Sequence, residues 1–324
     1  MSCTFSNCND LVTTTGVPLS VLNTTIGAGD LNFRRISANG ASQGIVLNNT
    51  GTAGGLKIGA NLPGSSSVGD GGVLQNLTQN ALSLTNTANV SLNYARIQTT
   101  GSHAVMGAGV TDQSGGTEPS LEIRQCAILN AGNSDDENAL HFVGNPGISG
   151  RLAVSNTSIT SYFENALEVD NSSGVLQIDV ADSTIHDNHD TYGTDAIFVE
   201  SQGTASIRLN LTGSSFDNTE GAIVQFQANG TTGNNISITG NTSTGGGGPD
   251  RSPAGGGIIL VLDNGGSLAF NIQENHIYEI FGEGVVLVGK GDLEGRVVNN
   301  RVSGTGGDGV RVDMDQGGGF YTWT

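Results

Sequence analysis

A short phrase recurs along this chain, and its spacing constrains the fold more than any other feature of the sequence. ENALHF at 137–142 returns as ENALEV at 164–169, 27 residues later. A small residue followed by alternating aliphatic residues occurs ten times, starting at positions 44, 81, 104, 139, 166, 196, 222, 257, 284 and 309. The steps between these positions range from 23 to 37 residues and average about 29. Self-similarity at such a period indicates a stack of repeated structural units.

Each repeat contains further strand-like segments and no sustained helical pattern. Between the phrases lie segments such as SLEIRQCAI from Ser120 and RLAVSNTSI from Arg151, in which apolar and polar residues alternate. A period of two is the pattern of a strand with one buried face. Gly, Asn, Asp and Ser fill the intervals, as turns require. One unit alone cannot bury its apolar face, whereas stacked units share a continuous core.

The repeat therefore predicts an all-β fold, a single-chain parallel β-helix (a solenoid) of about ten coils of roughly 23–37 residues each. We expect one domain over residues 1–324, with 1–30 as an N-terminal capping segment and 31–324 as stacked coils. A β-propeller would need about 40 residues per blade, and leucine-rich repeats would need a regular leucine pattern with a helical return. The abrupt ends of the sequence suggest a segment of a longer polypeptide.

The alternation also predicts which side chains point inward. The first and third residues after the small residue should face the core, and the second and fourth should face outward. The expected inward residues are Ile45, Leu47, Leu82, Leu84, Leu140, Phe142, Leu167, Val169, Ile197, Val199, Ile258, Leu260, Val285, Leu287, Val310 and Val312. The phrase AIVQF at 222–226 is irregular, because strict alternation would place Gln225 inside. Either a bulge occurs there, or Val224 joins the outward positions.

Charge and hydropathy restrict the partners. The formal net charge is −18. Residues 1–121 carry four basic and five acidic side chains, whereas 122–324 carry eight basic and 25 acidic ones. Such a surface repels nucleic acid and anionic membranes, so we expect no nucleic-acid partner. No apolar run approaches the roughly 18 residues that a membrane helix needs, so we expect no membrane insertion in this segment.

The three cysteines are too few for a disulfide framework. Cys3 and Cys8 could form a disulfide or remain two thiols, and the sequence leaves both alternatives open. Cys126 lies in an apolar strand phrase and is expected to be a small core residue. The N-terminal residues lack the basic start and apolar stretch of a signal peptide.

The phrases resemble the right-handed parallel β-helix regions of large bacterial surface proteins. The resemblance rests on NTTIGAGDLNFRRISANGASQGIVLNNTGTAGGL from Asn23 and on SNTSIT followed by ENALEVDN, and similar phrases cover almost the whole chain. Those proteins belong to the pectin-lyase-like superfold, which includes autotransporter passengers and adhesin-like proteins. The resemblance implies a right-handed coil and an extracellular or bacterial cell-surface location. It is specific for the fold and not for the function, because the superfold hosts lyases, hydrolases and inert stalks.

If the chain were an enzyme, the resemblance would imply polysaccharide cleavage. Pectate lyases pair calcium-binding carboxylates with an arginine base, and polygalacturonases carry an ordered set of Asn-Thr-Asp, Asp-Asp, His-Gly and Arg-Ile-Lys motifs. Fragments of such motifs occur at 96–98 (RIQ), 102–104 (SHA), 134–136 (SDD) and 193–196 (GTDA), but they are degraded and in reversed order. We interpret them as chance matches, assign no catalytic residue and do not expect an enzyme.

Outward carboxylates on neighbouring coils form the first candidate site. Glu168 and Asp170 lie on one coil and Glu200 on the next. Stacked like charges repel, and either solvent or a bound cation can relieve the repulsion. Calcium takes oxygen ligands from flexible carboxylate clusters. Glu168, Asp170 and Glu200 are therefore candidate calcium ligands, a solvated acidic face is the alternative, and we expect no other cofactor. His141, one rung from Glu168, is expected to be a surface neighbour.

A second outward signal is apolar. The strands GIILVL and GVVLVG do not alternate, and their outward residues form a stripe with one preceding aromatic residue: Phe198, Ile259, Val261, Val286 and Val288. Strands that are apolar on both faces are normally covered on both. The cover could be the loop 242–256 or a second copy of the chain through self-association, and plain exposure is the third alternative.

These observations favour a non-catalytic extracellular β-helix that acts as a rigid stalk or adhesin-like segment on a bacterial surface. Its expected partners are a polysaccharide or a ligand on a host or neighbouring cell. The alternative is a polysaccharide-binding or polysaccharide-cleaving module, of pectate-lyase type, that uses the acidic outer face.

Overall fold

The chain winds through three parallel sheets of eleven strands each. The computed structural model describes residues 9–59, 67–115, 117–144, 147–189, 193–244, 256–314 and 321–323. The strands are numbered β1 to β33 along the chain, and every third strand belongs to the same sheet. Three consecutive strands, one from each sheet, form one coil, and the coils are numbered 1 to 11. The described residues form no helix, so they contain no helix long and apolar enough to cross a membrane.

The strands of each sheet follow one another in chain order. The first sheet contains β1 (Asp10–Thr13), β4 (Arg35–Asn39), β7 (Val73–Leu77), β10 (Arg96–Thr100), β13 (Ala127–Ala131), β16 (Ser158–Tyr162), β19 (Thr184–Asn188), β22 (Ser215–Asp217), β25 (Thr242–Thr244), β28 (His276–Tyr278) and β31 (Arg301–Ser303). The second sheet contains β2 (Leu19–Leu22), β5 (Ile45–Asn48), β8 (Leu82–Thr85), β11 (Val105–Ala108), β14 (Leu140–Gly144), β17 (Leu167–Asn171), β20 (Ile197–Ser201), β23 (Val224–Ala228), β26 (Ile258–Leu262), β29 (Val285–Gly289) and β32 (Val310–Met314). The third sheet contains β3 (Leu31–Phe33), β6 (Leu56–Ile58), β9 (Val90–Asn93), β12 (Leu121–Arg124), β15 (Gly150–Ser155), β18 (Val175–Ala181), β21 (Ser206–Thr212), β24 (Gly233–Thr239), β27 (Ser267–Gln273), β30 (Asp292–Val298) and β33 (Tyr321–Trp323).

The repeated phrases stack on one another in the second sheet. Leu140 of β14 pairs with Leu167 of β17, so ENALHF and ENALEV occupy the same place on coils 5 and 6. The prediction of an all-β parallel solenoid is confirmed. The second sheet has one strand more than the ten phrases, because β2 follows Pro18 and lacks the small residue that marks the other strands.

A single hydrophobic cluster runs along the inside of the solenoid. The expected inward residues from Ile45 to Leu287 are at most 3% exposed. Val310 and Val312 differ from the expectation, since they are 37% and 38% exposed. They keep the inward register against β29, but among the described residues no further strand of the second sheet lies over β32. Position in the register sets the direction of a side chain, and the next coil completes its burial.

The irregular phrase at 222–226 shifts by one residue relative to its neighbours. Val224 pairs with Ile197 and Phe226 with Val199, so both point into the core and are fully buried. Gln225 points outward, opposite Phe198. The alignment that starts at residue 222 placed Val224 outward and was wrong. Because the side-chain period of a strand is two, a slip of one residue exchanges the faces.

A ladder of side-chain hydrogen bonds closes the corner before the first sheet. In this first-sheet ladder, a backbone N–H of one coil donates to a side-chain oxygen of the next, over distances of 2.9–3.3 Å. The acceptors are Thr157, Ser183, Ser214, Asn241, Asn275 and Asn300. Glu274 precedes Asn275, and the residue before each of the other acceptors is Asn, Asp or Gly. The asparagines that precede Thr157 and Asn300 have φ of 49° and 54°. Asn and Gly tolerate this left-handed backbone, which explains their abundance at the corners.

Candidate functional site

The outer face of the second sheet has two halves of different chemistry. One outward column reads His141, Glu168, Phe198, Gln225, Ile259, Val286 and Arg311 from coil 5 to coil 11. We call His141, Glu168, Asp170 and Glu200, on coils 5 to 7, the acidic half. We call Ile259, Val261, Val286 and Val288, on coils 9 and 10, the apolar half.

Buried polar side chains lie directly behind the acidic half, at the start of the second-sheet strands. The Nδ1 atom of His103 accepts from the backbone N–H of Asn138 at 3.0 Å. The Oδ1 atom of Asn138 accepts from Asn165 N at 2.7 Å, and Oδ1 of Asn165 accepts from Asp195 N at 2.9 Å. Asp195 in turn accepts from Ala222 N at 2.6 Å. This second-sheet ladder explains the Asn of the ENAL phrase, since each side chain satisfies a buried backbone donor of the next coil.

Two histidines and a glutamate meet on the surface of the ladder. The Oε2 atom of Glu168 accepts from Asn138 Nδ2 at 2.5 Å and lies 3.0 Å from Nδ1 of His141. The rings of His141 and His103 stack, with centroids 4.3 Å apart. Burial, and then the neighbouring His141, lower the pKa of His103 to about 4, which keeps its Nδ1 free to accept. Glu168 thus fixes the orientation of the His141 ring, the arrangement that general acid–base histidines use.

Three carboxyl groups in this region hold their protons unusually well. Burial, and then the negative charge of Glu168, raise the pKa of Glu164 to about 7. Burial raises the pKa of Asp195 to about 7 as well. Burial, followed by the charges of Glu200 and Glu168, raises the pKa of Asp170 to about 6. Near neutral pH Glu164 and Asp195 are therefore partly protonated, and Asp170 becomes so at slightly lower pH.

The structure places the three candidate calcium ligands on adjacent coils without forming a ligand set. Asp170 lies opposite Glu200, whereas Glu168 lies opposite Phe198. Glu200 accepts from Gln202 Nε2 at 2.8 Å and from an Asn amide of the next coil, and Glu168 is bound as described above. Among the described residues, no group of three or more His, Cys, Asp or Glu side chains is arranged to hold a metal ion. The carboxylates of Glu168 and Glu200 already have amide or imidazole partners, and calcium binding stays a prediction.

The apolar half is covered. Ile259 and Val286 are only 8% and 5% exposed, and they form a cluster with Ala222. Val261 and Val288 are partly buried and pack against this cluster. Phe198 stands apart from this cluster, since Gln225 lies between it and Ile259 in the column. Of the loop that was expected to form the cover, residues 245–255 lie outside the described part of the chain.

Two of the three cysteines cannot be compared with the expectation, because residues 1–8 lie outside the described part of the chain. Cys126 is a free, buried thiol, and burial raises its pKa to about 12. It therefore acts as a small core side chain and not as a nucleophile.

Sequence reasoning missed a cleft on the outer face of the first sheet. The cleft has a volume of about 430 Å³ and crosses β25, β28 and β31 of coils 9 to 11. Its lining residues are Thr242, His276, Tyr278, Glu279, Arg301, Ser303 and Gly304. The phrases HIY and RVS each alternate around one inward residue, but strands of three residues give a weak periodic signal.

A scan against models of known protein families found no match, and neither did searches of curated proteins and of solved structures. The fold therefore rests on its own geometry, and the relation to bacterial surface proteins stays a prediction.

Proposed function

We propose that this chain is a non-catalytic, extracellular β-solenoid that serves as a rigid stalk or adhesin-like segment on a bacterial surface. The observation that carries the proposal is the continuity of the core, which extends as one cluster from Ile36 to Leu293. Eleven coils spaced about 4.8 Å apart give a rod about 50 Å long. A rod of this kind has few flexible joints and displays its outward residues at fixed spacing.

The corner ladders and the surface charge support the same role. The first-sheet ladder joins six successive pairs of coils, and the second-sheet ladder joins four. Local opening of a coil would break these hydrogen bonds, each of which contributes about 0.5–1.5 kcal/mol net. We therefore expect resistance to proteolysis, which an extracellular segment needs. The net charge of −18 favours solubility at a crowded surface.

Antibody labelling of intact cells of the source organism tests the proposed location. An antibody against this chain should label cells that have not been permeabilised. Labelling that requires permeabilisation would contradict the proposal. Attachment is tested with fluorescent beads coated with the folded chain, which should bind neighbouring bacterial or host cells better than beads coated with the heat-unfolded chain.

A polysaccharide-cleaving or polysaccharide-binding module on the acidic face is the second candidate. It is favoured by the two carboxyl groups whose pKa is raised to about 7, Glu164 and Asp195, because a proton held near neutral pH suits a general acid. Incubation with a panel of acidic and neutral polysaccharides tests it. New reducing ends that disappear in Glu164→Gln and Asp195→Asn would support cleavage, and the absence of products with the wild-type chain would exclude it for that panel.

A further inference from the structure

The cleft on the first sheet is built from outward side chains of three successive coils. In β25, β28 and β31, Thr242 pairs with His276 and His276 with Arg301. Tyr278 pairs with Ser303 in the same strands. Ile277 lies between the two outward residues of β28 and is buried, so the strand holds them at a fixed spacing on a rigid floor. The 430 Å³ volume lies within the range of small-ligand sites.

Arg301 supplies the positive charge of this cleft, which the carboxylate Glu279 also lines. Arg151 forms an ion pair with Asp179 at 2.6 Å, and Arg311 forms one with Glu283 at 2.9 Å. Among the described residues, no carboxylate lies within 4.0 Å of the Arg301 guanidinium. In a chain with a net charge of −18, a cation without an ion pair is a local attraction for an anionic group. Its planar fork matches a carboxylate or a sulfate oxygen pair.

An exposed aromatic ring and several hydroxyl groups surround the arginine. Tyr278 is 36% exposed, and Phe281, just beyond the corner, is 51% exposed. Gly304 has φ of 68°, and a Cβ there would lie 3.3 Å from Glu279 N, so glycine keeps this side of the cleft open. A ring face beside Thr242 and Ser303 hydroxyls suits a ligand that has both an apolar face and many hydroxyl groups.

We propose that this cleft binds a saccharide unit that carries a carboxylate or a sulfate ester. Arg301 pairs with the anionic substituent, Tyr278 lies against the sugar ring, and His276 hydrogen-bonds to ring hydroxyls. The inference rests on the proposed adhesin-like role, because it names the ligand class of one displayed surface. It does not involve the acidic face of the second sheet.

Calorimetric titration with defined oligosaccharides tests the site. The probes are sialyllactose and trigalacturonate for carboxylates, a heparin tetrasaccharide for sulfates, and lactose as the neutral control. At least one acidic probe should bind at least tenfold more tightly than lactose, and the arm that binds identifies the anionic group. Arg301→Gln should weaken that binding at least tenfold, and Tyr278→Ala should weaken it several-fold. Circular dichroism should show that both variants remain folded.

Arg208→Gln is the matched control, because Arg208 is an exposed arginine on the outer face of the third sheet. It should leave binding unchanged. The site is refuted if no acidic probe binds more tightly than lactose, if Arg301→Gln binds as the wild type does, or if Arg208→Gln causes an equal loss. Bead attachment separates the two proposals: cell attachment by a wild-type chain whose oligosaccharide binding Arg301→Gln leaves unchanged keeps the adhesin role intact and removes the site. Oligosaccharide binding without any cell attachment would do the reverse.

Discussion

The acidic and apolar halves of the second sheet share one inward core, and they differ in the side chains that they present on the outer face. Leu140 and Leu167 lie inside the acidic half, and Leu260 and Leu287 lie inside the apolar half, all at most 2% exposed. Outside, hydrogen-bonded carboxylates and a histidine pair give way to a covered aliphatic cluster. The repeat therefore determines architecture, and outward positions are free to diverge.

The corners differ between the halves as well. Behind the acidic half, polar side chains satisfy the backbone donors of the next coil, ending with Asp195 bound to Ala222 N. After Asp195, this corner position is occupied by Ala222 and then Gly256, which have no polar side chain, and Ile223 N donates to the backbone oxygen of Gly256. On coil 10 the position is Glu283, whose carboxylate pairs with Arg311 at 2.9 Å and accepts from no backbone donor of the next coil among the described residues. The acidic half should thus depend on buried polar groups, whereas the apolar half should depend on packing.

The largest effect should come from the core that both halves share. Leu140→Asp would bury an unpaired charge, which should cost about 4 kcal/mol or more and unfold the neighbouring coils. Urea unfolding followed by circular dichroism measures this loss. The control His141→Gln changes the adjacent outward residue and should cost about 1 kcal/mol or less. A Leu140→Asp chain as stable as the wild type would refute the inward assignment.

A charge in the apolar half should come second. Val286→Asp places a carboxylate at a position that is 5% exposed and should cost about 3 kcal/mol. Phe198→Asp, at a partly buried position of the same column, should cost less than half of that. The low exposure of Val286 is already present in a single chain, so the cover belongs to the chain itself. Light scattering on the same samples tests whether a second chain adds to this cover: a wild-type dimer that becomes monomeric in Val286→Asp would show that it does. Equal stability of the two variants would show that the apolar half is in fact exposed.

Removing one rung of the second-sheet ladder should have a smaller effect, confined to the acidic half. Asn165→Ala leaves Asp195 N and the Thr194 hydroxyl without their acceptor, at a cost of about 2 kcal/mol. The control Asn264→Ala removes an exposed amide that donates to Asn229 O at 3.0 Å, where water replaces the partner, and should cost about 0.5 kcal/mol or less. Similar losses in both variants would mean that the ladder adds nothing to stability.

The pH dependence of stability should be the mildest test. Carboxyl groups whose pKa is raised bind protons more tightly in the folded state than in the unfolded state. Their contribution to the free energy of unfolding is therefore fully present below the ordinary carboxyl pKa and is lost as the pH rises through about 6 to 7. His103, whose pKa is lowered to about 4, acts in the opposite direction as pH falls below its ordinary value. The stabilising effect of three carboxyl groups at lower pH should exceed the destabilising effect of one imidazole. The urea midpoint should therefore increase as the pH is lowered from about 8 to about 5, and Glu164→Gln should make this increase smaller. A midpoint that decreases as the pH is lowered over this range would contradict the assignment.

Alternation and spacing were sufficient to predict the solenoid and the inward residues from Ile45 to Leu287, because a buried strand face must be apolar. They failed at 222–226, where one extra residue before β23 exchanges the faces, and at Val310 and Val312, where burial depends on what lies over the last described coil. The role of Asn138 and Asn165 could not be read from the phrase, because a side-chain bond to a neighbouring backbone depends on corner geometry. The first-sheet cleft joins residues about 60 positions apart, and only the stacking register brings them together.

A distance across both halves tests the central claim most directly. Asp170 and Asp313 lie in one outward column, linked rung by rung through Glu200, Gln227, Val261 and Val288. Five coil steps of about 4.8 Å predict a separation of about 24 Å. Spin labels on Asp170→Cys and Asp313→Cys, in a chain whose native cysteines are replaced, measure it by pulsed electron paramagnetic resonance. A single narrow distribution near 24 Å, broadened only by the label linkers, would support one continuous stack of coils. A broad distribution, or one centred beyond about 40 Å, would contradict it.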